Sequence, residues 1–164
     1  RLVHRLPWLL LGLLGVLASA SLVSAFEGRL EQNVALAFFL PGVVYLADAV
    51  GTQTEALVIR GLTSGVHVRV MAARESVTGL VVGLVIAASF WPLTLLYADA
   101  AVGLAAALAL LAACAVASVV GMVLPLALHR LGRDPAYGSG PLATIIQDLF
   151  SILIYFATAI LIVG

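Results

Sequence analysis

Charged residues are scarce in this sequence. Only 10% of its 164 residues are Asp, Glu, Lys or Arg, whereas a soluble domain carries about 25%. So few charges exclude an ordinary soluble domain and indicate a membrane protein. The formal net charge is zero, so no basic surface suggests a nucleic-acid partner.

Cysteine, lysine and the common catalytic motifs are also rare or missing. The single Cys114 lies in an Ala-rich apolar stretch, so neither a disulfide nor a metal–thiolate site is predicted. All eight basic residues are Arg. The sequence contains no HExxH metal motif, no nucleophile elbow and no GK[ST] phosphate loop, so we do not expect an enzyme.

Apolar residues are abundant and fall into long stretches. They make up 63% of the chain, and the mean hydropathy is +1.20. Five stretches are near or above the ~20 residues that a helix needs to cross about 30 Å of hydrocarbon. They are Pro7–Phe26, Val34–Arg60, Glu75–Tyr97, Ala100–Leu128 and Pro141–Val163. We predict an all-α, multi-pass protein of the cell membrane, with residues 1–164 as one transmembrane domain.

The arginines outside these spans are unevenly distributed between the two sides. With the N-terminus inside, Arg29 alone lies outside. The other seven lie on the cytoplasmic side: Arg1, Arg5, Arg60, Arg69, Arg74, Arg130 and Arg133. The positive-inside rule therefore predicts a cytoplasmic N-terminus and an external C-terminus. Since the chain starts with Arg rather than Met, we expect it to be a fragment of a longer protein.

The fifth span carries a stripe of polar residues at helical spacing. The stripe consists of Thr144, Gln147, Asp148, Ser151, Tyr155 and Thr158. A carboxylate in hydrocarbon costs roughly 3 kcal/mol or more, so Asp148 must face a partner or water. The stripe therefore predicts a polar pathway. Tyr155 and Thr158 are expected to hydrogen-bond to other helices instead.

A second polar stripe lies in the second span, which also contains Pro41. Asp48, Thr52 and Glu55 recur there at i, i+4 and i+7, and Pro41 is expected to kink or interrupt the helix. If the second and fifth spans pack together, three carboxylates lie within roughly 10 Å of depth. They cannot all stay ionised unless water or a cation is present. For Glu55, pairing with Arg60 is an equally good interpretation.

The oxygen-only character of these side chains favours a hard cation. Carboxylates, hydroxyls and amide oxygens suit Mg²⁺ or Ca²⁺, whereas zinc or copper would prefer Cys or His. Mg²⁺ sheds its water reluctantly, so a wide site for the hydrated ion needs only a few carboxylates.

One segment of the chain resembles the last helix of the MgtE-type magnesium channels. The segment is residues 133–148, RDPAYGSGPLATIIQD, and an apolar IYF follows it. Residues 41–53, ending in Gly-Thr-Gln, resemble the other pore helix of that family. The resemblance covers nearly the whole chain and implies a homodimer whose second and fifth helices line one pore. It implies that Asp148, supplied by both subunits, holds a hydrated Mg²⁺ ion. It also implies cytoplasmic regulatory domains before the first helix, which are missing from this chain.

The second span departs from the family pattern in its acidic residues. The family typically has Gly-Asn-Ala-Gly before its Thr-Gln, whereas this sequence has Asp48-Ala49-Val50-Gly51, and Glu55 is an additional acid. More negative charge is expected to bind divalent ions more tightly and to slow their release.

These observations predict a homodimeric channel or transporter for divalent cations, most readily Mg²⁺, embedded in membrane lipid. Asp148 is the predicted primary ion ligand. The other predicted ligands are Asp48, Glu55, Thr144, Gln147 and Thr52. A proton- or Na⁺-coupled carrier is the first alternative, because an interrupted second span would suit it. A non-transporting membrane assembly module is the second.

Overall fold

A computed structural model describes residues 2–65 and 68–164. For Leu2, His4, Arg5, Val68, Arg69, Tyr137 and Gly138 it describes only the backbone. Arg1, one of the predicted cytoplasmic arginines, lies outside the described residues. The described residues form helices and no strand. The helices are α1 (Leu2–Ala25), α2 (Glu27–Gln32), α3 (Ala35–Thr63), α4 (Val68–Thr94), α5 (Ala100–Arg130) and α6 (Pro135–Ile162).

All of these helices except α2 are long and apolar enough to cross a membrane. The prediction of an all-α membrane domain with five spanning helices is therefore confirmed, with α1, α3, α4, α5 and α6 as the five spans. The short α2 lies in the polar stretch 27–32, where the sequence predicted a loop. Two of the predicted connections become shorter, because α3, α4 and α6 extend beyond their apolar stretches.

Helix α5 lies at the centre of the bundle and packs against α3, α4 and α6. Its contact surface is rich in alanine, and the side chains of Ala106 and Ala109 have no exposed area. Small side chains let helix backbones approach closely. Such close packing favours helix association in lipid, where the hydrophobic effect does not drive helices together. Helix α1 packs on α6 and α2, and within the described residues its backbone does not closely approach that of α3.

The predicted start of the fifth span at Pro141 is wrong, and Pro41 does not interrupt the second span. Helix α6 begins at Pro135 rather than at Pro141, because Asp134 accepts a hydrogen bond from the Ala136 N–H at 3.0 Å and Pro135 occupies the first turn. Both are ordinary signals of a helix start. Pro141 and Pro41 instead lie inside α6 and α3, and α3 continues unbroken from Ala35 to Thr63. Each proline removes one backbone hydrogen bond without ending its helix.

Two glycines on α4 form a small-residue face that packs against α5. A Cβ atom added to Gly79 would collide with Ser118, and one added to Gly83 would lie 3.0 Å from the Cβ atom of Cys114. Both contacts lie between α4 and α5, so these glycines serve helix packing.

Candidate functional site

Among the described side chains, three hydrogen bonds join helices α3 and α6. From the start of α6, the pairs are Ser139 with Glu55, Thr144 with Asp48, and Tyr155 with the backbone carbonyl of Leu36. From one bond to the next, the residue number increases on α6 and decreases on α3. The two helices therefore run antiparallel. The second and fifth predicted spans are therefore neighbours, as the predicted site requires.

Three of the predicted site residues, Asp48, Thr144 and Asp148, lie together at the second of these hydrogen bonds. The Thr144 hydroxyl donates to Oδ1 of Asp48 at 3.1 Å, and Asp148 lies one turn further along the same face of α6. All three side chains are half-buried. Asp48 binds Thr144, one turn from Asp148 on α6, so the two carboxylates lie near each other and repel when both are ionised. A cation between them would relieve this repulsion, because opposite charges at short range stabilise the ionised form of a carboxylate.

The carboxylates form a row along the two helices rather than a single cluster. Ser139, which contacts Glu55, and Asp148 are nine positions apart, or about 14 Å at 1.5 Å per residue. Asp48 binds Thr144, which lies between Ser139 and Asp148 on α6, so Asp48 is intermediate in position. Within residues 2–65 and 68–164, no three His, Cys, Asp or Glu side chains are grouped closely enough to hold a metal ion. One chain thus supplies an open row of acids.

Glu55 occupies the end of this row nearest the start of α6. Its side chain is buried, and the hydroxyl of Ser139 donates to it. The same hydroxyl lies 2.6 Å from the carbonyl oxygen of Pro135. Arg60, the alternative partner considered from the sequence, is exposed. Glu55 therefore turns inward to α6 and links the row of acids to the first turns of that helix.

Gln147 and Thr52, the two remaining predicted ligands, lie away from the three residues around Thr144. Gln147 is only 2% exposed, and its Nε2 donates to the Ala117 carbonyl on α5 at 3.4 Å. Its Oε1 has no hydrogen-bond partner among the described residues. Thr52 is exposed on the outer face of α3, next to the exposed Gln53.

The polar residues near the end of α6 have structural contacts. Tyr155 is buried and donates to the Leu36 carbonyl at 2.7 Å, which confirms the expected hydrogen bond between helices. Thr158 instead donates to the carbonyls of Ile154 and Tyr155 on its own helix, so the same expectation is wrong for Thr158.

A cleft between α1 and α6 reaches Asp148 from outside the bundle. It has a volume of about 510 Å³. Its polar floor is formed by Thr144 and Asp148 on α6, and its wall on α1 includes Leu9, Gly12 and Val16. Asp148 is half-buried and lines this cleft, so its carboxylate is accessible between α1 and α6.

The arrangement suits the binding of a hydrated hard cation. Its oxygen atoms come from carboxylates and a hydroxyl, which Mg²⁺ and Ca²⁺ prefer. The residues lie on membrane-spanning helices, where an unpaired carboxylate is costly. Cation binding at Asp148 and Asp48 would offset that cost.

Comparison with known proteins gives a consistent assignment. Residues 40–158 match the family model MgtE, described as a divalent cation transporter. The chain is 39% identical over 162 residues to the magnesium transporter MgtE of Bacillus subtilis, a match that covers 95% of this chain and 36% of the relative. Proteins of the same name from Enterococcus faecalis and Thermus thermophilus are 34% and 33% identical over 165 residues; each match covers 94% of this chain and 35% of the relative.

The chain therefore spans about a third of the length of these relatives. The family model matches well over half of the chain, and it includes all of the acidic residues in the row and their partners on α6. The family is one of ion transporters rather than enzymes. This chain belongs to the MgtE family of divalent cation transporters.

Proposed function

We propose that this chain forms a pathway for divalent cations, most readily Mg²⁺, across the cell membrane, with Asp148 as the primary ion-binding residue. The observation that carries the proposal is the meeting of Asp48, Thr144 and Asp148 on one half-buried face. Similarity to three magnesium transporters supports Mg²⁺ as the ion.

A homodimer would complete this pathway. Thr52 and Gln53 are exposed on α3, and Tyr45 on the same helix is 73% exposed. In a single bundle these groups and two carboxylates would face lipid, at a cost of several kcal/mol (about 3 or more for each carboxylate). A second copy related by a two-fold axis would cover this face and present Asp148 twice.

The row of acids suggests an order of events along the pathway. Glu55 lies nearest the arginine-rich end of α3, which the arginine distribution assigns to the cytoplasm, and we assign it to the mouth. Asp48 and Thr144 follow, and Asp148 lies deepest. Mg²⁺ retains much of its hydration shell, so these residues would contact it mainly through water. Thr52 contributes a hydroxyl on the exposed face of α3.

Gln147 has a different part in this proposal. Its enclosed position against Ala117 supports a role in holding α6 against α5. An ion could contact the unpaired Oε1 of Gln147 only if the Gln147 side chain moved away from α5. An interrupted second span would suit the carrier alternative, whereas α3 runs as one helix from Ala35 to Thr63.

The proposal is tested by ion flux into liposomes. Purified chain is reconstituted, and Mg²⁺ entry is followed with a trapped fluorescent indicator at fixed pH and without a Na⁺ gradient. We expect Mg²⁺ entry that is absent from protein-free vesicles and independent of an imposed proton or Na⁺ gradient. Entry that saturates and follows such a gradient would instead support a carrier, and no entry in any condition would refute transport by this chain.

Asp48 is expected to join Asp148 in binding the ion. Crystals soaked in Mn²⁺ should show anomalous density next to both carboxylates, because Mn²⁺ accepts the same oxygen ligands as Mg²⁺. The Asp48→Asn variant should retain the Asp148 peak at lower occupancy. Density next to Asp148 and never next to Asp48 would remove Asp48 from the site.

A further inference from the structure

A separate cavity lies between the end of α3 and the beginning of α4. It has a volume of about 310 Å³. Its polar lining comes from Arg60 and Ser64 on the α3 side and from Arg74 and Glu75 on α4. None of these residues belongs to the row of acids between α3 and α6. The cavity is therefore separate from the proposed ion pathway.

The charge of this cavity favours an anionic ligand. Two arginines and one glutamate give it a formal charge of +1, and both arginines are exposed. In the part of the chain that the structure describes, no acidic side chain lies within 4.0 Å of either guanidinium to form an ion pair. The guanidinium groups are thus available for a ligand. Arginine matches the geometry of phosphate through two parallel hydrogen bonds.

The surface next to each arginine is apolar and exposed. On α4, Val70 and Val77 share the face of Arg74, at i−4 and i+3, and are 53% and 63% exposed. Val81 and Leu84 extend this strip by two more turns and are 53% and 56% exposed. The strip runs from the cavity along the membrane-spanning part of α4. It offers a continuous surface for a hydrocarbon chain attached to the group in the cavity.

The α3 side of the cavity has the same arrangement. Leu57 lies one turn before Arg60 and is 44% exposed. Met71 closes the floor, where it is buried against Gly61. A free phosphate would use only the arginines, whereas a phospholipid would use the arginines and the apolar surface together. Basic pockets between helix ends on the cytoplasmic side are typical sites for anionic lipid head groups.

We propose that the cavity between α3 and α4 binds the head group of an anionic phospholipid, with the phosphate held between Arg60 and Arg74 and an acyl chain lying along Val70, Val77 and Val81. The lipid would bridge the two helix ends on either side of the short connection 64–67. Since α3 carries Asp48 and Glu55, the lipid would also hold the start of the ion pathway in position. Lipid binding can be measured whether or not the chain transports an ion.

Native mass spectrometry of the purified protein tests this site. Parent protein is mixed with phosphatidylglycerol or phosphatidylcholine, and retained lipid is counted per chain. We expect one tightly retained phosphatidylglycerol and no retained phosphatidylcholine. The Arg60→Gln/Arg74→Gln variant should bind phosphatidylglycerol about 30-fold more weakly, since each arginine near an anionic lipid contributes a factor of roughly five.

A charge-matched variant separates a defined site from general attraction. Arg130→Gln/Arg133→Gln removes two positive charges from the same predicted side of the membrane but leaves this cavity intact. It should retain phosphatidylglycerol within about twofold of the parent, because its charges lie outside the site. Equal losses in the two double variants would overturn the proposal and indicate diffuse attraction.

Two more measurements test the position of the lipid and distinguish a lipid site from a phosphate site. Ser64→Asp keeps both arginines and adds a negative charge at an exposed position, so it should weaken lipid binding while Ser64→Ala should not. Glycerol phosphate, which lacks acyl chains, should not displace the lipid at millimolar concentration. Displacement by glycerol phosphate would show a phosphate site instead of a lipid site, and equal binding by Ser64→Asp and Ser64→Ala would place the lipid elsewhere.

Discussion

Replacing Asp148 with asparagine is expected to reduce Mg²⁺ flux at low ion concentration by at least about a hundredfold, because a dimer would lose two charged contacts, each worth about 1.5–3 kcal/mol. Asparagine keeps the size and the hydrogen-bonding ability of the side chain but has no negative charge. It also removes the repulsion between Asp148 and Asp48. The loss of flux would therefore report the missing charge rather than a disturbed fold.

The measurement is initial Mg²⁺ entry into liposomes over a range of external Mg²⁺ concentrations. Asp99→Asn is the matched control, because Asp99 is the N-cap of α5 and accepts from the Val102 N–H at 2.9 Å. Asparagine is as good an N-cap as aspartate, so this control changes one charge without loss of the cap. Equal flux for the parent and Asp148→Asn would contradict the assignment of Asp148 as the primary ion residue.

The number of membrane spans could be predicted because it depends on composition alone. Each apolar stretch is long enough to cross the membrane, and lipid forces such a stretch to satisfy its backbone within a helix. The start of α6 was missed for a local reason. Pro141 suits a first helical turn, although Asp134 and Pro135 already form an N-cap and a first helical position.

The missed helix start also concealed the partner of Glu55. Ser139 was placed in a loop, so no hydroxyl was expected at the depth of Glu55. With α6 beginning at Pro135, Ser139 lies in the second turn and its hydroxyl reaches across to α3. The Asp134-Pro135 pair was the available signal, because it moves Ser139 into the helix.

Periodicity predicted which residues share a face, but it could not assign a neighbour to each of them. Thr144, Gln147 and Asp148 belong to one stripe on α6. Thr144 turns to Asp48 on α3, whereas Gln147 turns to Ala117 on α5. A polar stripe about 100° wide touches two or three helices at once. The choice among them depends on where small residues allow close approach, which requires the packed structure.

Gly121 on α5 lies directly against the backbone of α3, and Gly121→Ala is expected to destabilise the domain by about 2–3 kcal/mol. A Cβ atom at this position would collide with the backbone oxygen of Gly51 and lie 3.3 Å from the backbone nitrogen of Glu55. Backbone atoms of α3 can move away only if the whole helix shifts. Alanine itself favours a helix over glycine by about 1 kcal/mol, so the collision must outweigh that gain.

Other glycines of the same chain provide graded controls for this prediction. A Cβ atom at Gly51 would collide with the Gln147 amide, a side chain that can yield more easily than a backbone, so Gly51→Ala should be less harmful. A Cβ atom at Gly12 meets nothing within 4 Å, so Gly12→Ala should be neutral or slightly stabilising.

Unfolding in mixed micelles with increasing SDS gives the free energy of unfolding for each variant. Because α5 holds α3 at the level of Asp48 and Glu55, we also expect Gly121→Ala to lose Mg²⁺ flux in protein that remains folded. If Gly121→Ala were as stable as Gly12→Ala, the close contact between α3 and α5 would be wrong.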